Sequence, residues 1–92
     1  MFVILVYDIS SNPEKKKKNY YRIVKTIENY LVRVQYSVFE GEIQPHLLKE
    51  MTALLKKSIS KDFDSIMIYS FTNRAYTNKI TLGVENEYAL FS

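Results

Sequence analysis

The succession of segments predicts an α+β domain of the form strand, helix, strand, strand, helix, strand. Three observations carry that expectation. A continuous apolar run stands at 2–7 and a stretch apolar on both alternating faces at 65–71, two stretches of helical spacing each begin at a proline, and a long β-rich segment lies between those stretches. A chain of 92 residues suits one domain, so residues 1–92 are taken together. At 47% apolar and 25% charged, the composition is that of a folded globular chain.

FVILVY at 2–7 has no charged side chain and suits a central strand covered on both faces, ending at Asp8. In the segment that follows, Asn12 is placed to cap a helix, Pro13 to occupy its first position and Glu14 to meet the positive end of its dipole. Tyr20, Ile23, Ile27 and Tyr30 form its apolar stripe, opposite Lys16, Lys17, Lys18, Arg22 and Lys25. VRVQYSVFEGEI is longer than the usual strand and is expected to fold into a tight hairpin turning near Gln35 to Ser37. Pro45 starts a second helix, with Leu47, Leu48, Met51, Leu54 and Leu55 in period to about Lys57. Ser65 to Phe71 is apolar on both faces and is expected to be a second central strand. Lys79 to Leu82 is a weaker fifth strand, and residues 84–92 form a tail that could pack on a partner protomer.

This order is the ferredoxin-like split βαβ arrangement. Two helices cover only one face of such a sheet, yet the first and fourth strands carry apolar residues on both. A second copy of the chain, packed sheet to sheet about a two-fold axis, is the expected cover.

Several chemistries are excluded. There is no cysteine, hence no disulfide, thiolate metal site or thiol nucleophile. Gly41 and Gly83 are the only glycines, which rules out a glycine-rich phosphate loop. The first apolar run is too short for a membrane span and lacks a signal peptide's basic lead, so the expectation is a soluble, cytoplasmic protein. His46, at a helix start, is expected to face solvent.

Asp8 is the first candidate for chemistry. It either serves the turn after the strand or, sharing the parity of Phe2, Ile4 and Val6, faces the side that a partner would cover. A two-fold axis near the strand end would bring two Asp8 carboxylates together, enough for a magnesium ion that takes its other ligands from water and phosphate. Without a metal the pair would repel and one would tend to keep its proton, so the site is expected to respond to pH. Thirteen Lys and Arg stand against ten Asp and Glu, a net charge of +3. Lys15 to Lys18, with Arg22 and Lys25, form either a solvated helix face or a phosphate-binding stripe. Tyr7, Tyr20, Tyr21, Tyr36 and Phe39 are either core or base-stacking residues. Arg33, in a strand, needs a partner or a ligand. Glu40 and Glu42 suit a solvated strand face or a partner-binding edge.

VYDIS at 6–10, RVQYSVFEGEI at 33–43, DSIMIYSF at 64–71 and KITLG at 79–83 together resemble the small CRISPR-associated Cas-two proteins, over all but the tail. The resemblance implies a ferredoxin-like homodimer in which Asp8 binds a divalent metal, Mg²⁺ or Mn²⁺, from both protomers. It implies a metal-dependent endonuclease acting on RNA or duplex DNA, and a Cas-one integrase as partner in capturing new spacers. By position it makes Asp8 the metal ligand, places Tyr7, Arg33 and Phe39 with it in the catalytic motif, and gives Ser10 and Ser37 to the nucleic acid. Family members often carry arginines early in the first helix, where this chain has Lys15 to Lys18. Two other classes stay open: a non-catalytic DNA-binding scaffold of the integrase complex, and a related ferredoxin-like toxin ribonuclease. An RNA-binding module of the RRM type shares the strand order but lacks its aromatic signature here.

Overall fold

The computed structural model describes residues 1–8, 13–59, 64–73, 80, 82 and 83; within 13–19 it describes the backbone alone. The elements follow as β1 (Phe2–Asp8), α1 (Pro13–Glu28), β2 (Val32–Gln35), β3 (Val38–Glu42), α2 (Pro45–Ser58) and β4 (Ser65–Phe71). The helices open at the two prolines, each at a position whose missing N–H would have had no intrahelical partner. The expected Asn12 cap and the tail at 84–92 lie outside the described residues, as do Lys79 and Thr81 of the expected fifth strand at Lys79 to Leu82; its Ile80 and Leu82 are described, are not in a strand and are exposed.

The four strands form one antiparallel sheet in the order β2-β3-β1-β4. That order gives the ferredoxin-like topology its signature, with the first strand between the third and fourth. β1 is central, as its apolar run predicts. β4 is not: among the described strands it stands at the edge. Its double-sided apolar character therefore reflects something other than two flanking strands. One face of it, Ile66 and Ile68, packs on the core, while Met67 and Tyr69 on the other are 52% and 51% exposed.

Strand register sorts the side chains into two faces, since directly opposed residues share a face and neighbours alternate. Leu5 opposes Phe39 and Ile68, and these belong to the face covered by α1 and α2. There Val3, Leu5, Tyr7 and Phe39 meet Ile23 and Ile27 of α1 and Met51 and Leu55 of α2 in one core. Leu54, expected within the apolar stripe of α2, is instead 42% exposed. The other face carries Ile4 opposite Glu40 and Tyr69, Val6 opposite Val38 and Met67, and Asp8 opposite Ser65. This face is exposed unevenly: Phe2 on it is 4% exposed, Ile4, Val6 and Val38 are half-buried, and Met67 and Tyr69 are half exposed.

Candidate metal and nucleic-acid site

Asp8 closes β1, exposed, on the face of the sheet turned away from the helices. The alternation that puts it there sends Tyr7 the opposite way. Tyr7 is 1% exposed, and its hydroxyl donates to Asp64 Oδ1 at 3.0 Å, tying the end of β1 to the approach of β4. Burial, and then the adjoining Asp64 carboxylate, raise the Tyr7 phenol far above its ordinary value, so it stays protonated at any physiological pH.

Arg33 and Phe39 lie on the helix-covered side with Tyr7. A bulge between Arg33 and Gln35 interrupts the β2–β3 pairing, and such an extra residue re-aims the side chains around it. The Arg33 guanidinium stands 5.2 Å from the Phe39 ring centroid and 5.9 Å from that of Tyr36, and its Nη2 donates to the Tyr20 hydroxyl at 3.3 Å. A cation over aromatic faces, hydrogen-bonded as well, recovers part of the cost of a half-buried charge. The Tyr20 phenol is raised by burial first and by the neighbouring Tyr36 hydroxyl second, with Arg33 pulling the other way. The four residues expected together at the catalytic centre are thus divided: Asp8 on the open face, and Tyr7, Arg33 and Phe39 beneath the helices.

Both groups nevertheless share one end of the sheet. The Ser37 carbonyl accepts from the Tyr7 N–H at 2.9 Å, so the β2–β3 turn sits against the end of β1. Tyr36 in that turn is 65% exposed, and Tyr21 on α1 is 63% exposed. Arg22 and Lys25 are exposed on α1, on the solvent side of its buried stripe. Ser10 and the side chains of Lys15 to Lys18 lie outside the described residues, and His46 is exposed as expected. Asp64 is not singled out by the sequence, and Tyr7, Tyr20 and Tyr36 stand out there only as core or base-stacking residues, not as one ring series. Asp64 could have been found only through the pairing that sets Asp8 beside Ser65.

Among the described residues no group of three or more His, Cys, Asp and Glu could hold a metal ion within one chain. Exposed Asp8 fits magnesium as one carboxylate donor or as half of a donor pair, because that ion accepts one or two carboxylates and completes its shell with water and phosphate oxygens. No helix among the described residues is long and apolar enough to cross a membrane.

A family model described as CRISPR associated protein Cas2 matches residues 1–79. Among curated relatives, a CRISPR-associated endoribonuclease Cas2 of Fusobacterium nucleatum is 34% identical, over 95% of this chain and 81% of its own length. A CRISPR-associated endoribonuclease Cas2 of Thermodesulfovibrio yellowstonii is 37% identical over 94% of this chain and 91% of its own. The crystal structure of Streptococcus pyogenes Cas2 superposes with a TM-score of 0.75 at 30% identity, covering 90% of this chain and all of that one.

Proposed function

Because the chain belongs to the CRISPR-associated Cas2 family, we propose that it is a cytoplasmic, metal-dependent endonuclease of CRISPR adaptation, built as a sheet-to-sheet homodimer. The observation that carries this reading is the position of exposed Asp8 on the apolar sheet face turned away from the helices, where Met67 and Tyr69 are half exposed. Ile4, Val6, Val38, Met67 and Tyr69 share that face, and a two-fold packing on it buries the same patch twice. Each protomer then contributes Asp8 to one Mg²⁺ or Mn²⁺ ion. Such an ion would supply a Lewis acid for the phosphoryl oxygen and a more acidic water at neutral pH.

The chain's own groups do the rest. Asp8 contributes one carboxylate per protomer and, being exposed, leaves room for a phosphate oxygen. Tyr7 and Asp64 do not reach the phosphodiester; they clamp the strand end that carries Asp8. Arg22 and Lys25, with the lysines of α1's first turns, attract the backbone by charge. The endoribonuclease names of the Fusobacterium and Thermodesulfovibrio relatives favour RNA as substrate, with duplex DNA as the alternative. The decisive variant is Asp8→Asn, which should lower Mg²⁺-dependent cleavage of RNA by roughly 100-fold or more. Cleavage at the parent's rate would place the activity elsewhere.

A scaffold reading is favoured by a different observation, the exposed cations Arg22 and Lys25 on the helix side, away from Asp8. In it the dimer grips duplex DNA and docks the Cas-one integrase without cutting. Asp8→Asn would then leave spacer capture intact, whereas charge reversal at Lys16, Lys17 and Arg22 would abolish it.

A further inference from the structure

Three tyrosine rings from three different elements form one stack at the Asp8 end of the sheet. Tyr7 of β1 and Tyr20 of α1 have centroids 6.2 Å apart and planes 16° from parallel; Tyr20 and Tyr36 follow at 5.8 Å and 16°. Burial changes steeply along the series, from 1% exposed at Tyr7 to 65% at Tyr36. A ring covered on both faces could not keep that much surface, so the stack ends open to solvent. Tyr36 stands in a tight turn, where small polar residues and glycine are the usual occupants for backbone reasons and an aromatic adds nothing to the turn itself. Its ring nonetheless packs on Tyr20 and has the Arg33 guanidinium 5.9 Å from its centroid, two contacts that favour one orientation. An aromatic surface immobilised before a ligand arrives binds at a smaller entropic cost.

We infer that Tyr36 is a base-stacking platform: an unpaired nucleobase of a single-stranded segment lies on its open face as the next member of the Tyr7–Tyr20–Tyr36 series. The inference rests on the nucleic-acid reading above and deepens it. Every base has a π-face, so the contact is tolerant of sequence, but in a duplex that face is already stacked and out of reach. Arg33 beside the ring adds positive charge near the adjoining phosphate and polarises the stack. Ser37, the next residue, is bonded through its carbonyl to Tyr7, and Asp8 follows Tyr7. A base held on Tyr36 therefore brings its backbone to the sheet end where Asp8 stands. Tyr21, edge-on to Tyr20 at 5.6 Å, borders the same surface.

The test uses the full chain in chelator and an unstructured single-stranded RNA carrying one 2-aminopurine, whose fluorescence falls on stacking. The parent and Tyr36→Phe should quench the probe. Tyr36→Ala should lose the quench and bind the RNA roughly 5- to 150-fold more weakly, with duplex affinity unchanged. Tyr36→Leu, which keeps bulk in the turn, should lose the quench as well and guards against a folding defect in the alanine variant. If Tyr36→Ala and Tyr36→Leu quench and bind as the parent does while Arg22→Glu with Lys25→Glu abolishes binding, the platform is wrong and the nucleic-acid reading stands. If the parent itself binds neither RNA nor duplex, both fall together.

Discussion

Asp8 and Tyr7 are neighbours in the chain with opposite duties, and the strand's alternation assigns them. Asp8, outward on the face turned away from the helices, is free to meet a metal or a phosphate-bearing ligand. Tyr7, inward, spends its hydroxyl on Asp64. Tyr7→Phe should therefore leave the metal site chemically intact while costing about 1.5 to 3 kcal/mol of stability, the value of a hydrogen bond to a charged acceptor. The same bond predicts an alkaline signature. The phenol ionises near its ordinary value of about 10 in the unfolded chain and well above that in the fold. The stabilisation is thus complete below about pH 10 and is lost as pH climbs from there toward the folded value. Denaturant melts from pH 8 upward should show the parent losing stability above about pH 10, with a shallower loss in Tyr7→Phe. Equal slopes in both proteins would mean that Tyr7 ionises alike folded and unfolded.

Among the elements, β4 is the most informative, because its pattern is legible in the sequence while its position is not. The period-2 run at 65–71 announces a strand with two apolar faces, just as 2–7 does, yet β1 is central and β4 is the edge. Local pattern reports which faces are apolar; pairing order is set by the crossover connections and the register. The proline starts of both helices and the hairpin around Gln35 to Ser37 were legible because each depends on local turn and capping chemistry. The division of Asp8 from Tyr7, Arg33 and Phe39 was partly legible, since parity alone separates Asp8 from Tyr7, whereas Arg33's side follows from a bulge that no composition marks. The Tyr7–Tyr20–Tyr36 stack was not legible, as it joins rings from a strand, a helix and a turn. Met67 and Tyr69 on β4 then carry the dimer prediction. Met67→Lys should weaken self-association by roughly 30-fold or more, the size of an interface hot spot, in a chain whose circular dichroism matches the parent, because a half-exposed side chain contributes little to the monomer's own core. Light scattering that still reports the parent's mass at equal concentration would remove this face from the interface.

For the molecule as a whole, a net charge of +3 is too small to compel a polyanionic partner, so distribution matters more than sum. With Arg22 and Lys25 exposed on α1, the logarithm of RNA affinity should fall linearly with the logarithm of salt concentration. Arg22→Glu with Lys25→Glu should flatten that slope by about 0.7 for each single-strand phosphate the variant no longer neutralises. A slope unchanged by the pair would put the phosphates on another surface. The dimer makes a more demanding claim, that one catalytic site draws on two chains. Parent and Asp8→Asn chains can be mixed at constant total concentration, allowed to exchange subunits, and assayed for Mg²⁺-dependent RNA cleavage. If each site requires both Asp8 carboxylates, activity follows the square of the parent fraction, about one quarter of the parent's at an equal mixture. Activity of about one half, falling in simple proportion to the parent fraction, would mean that each chain works alone and would contradict the shared site.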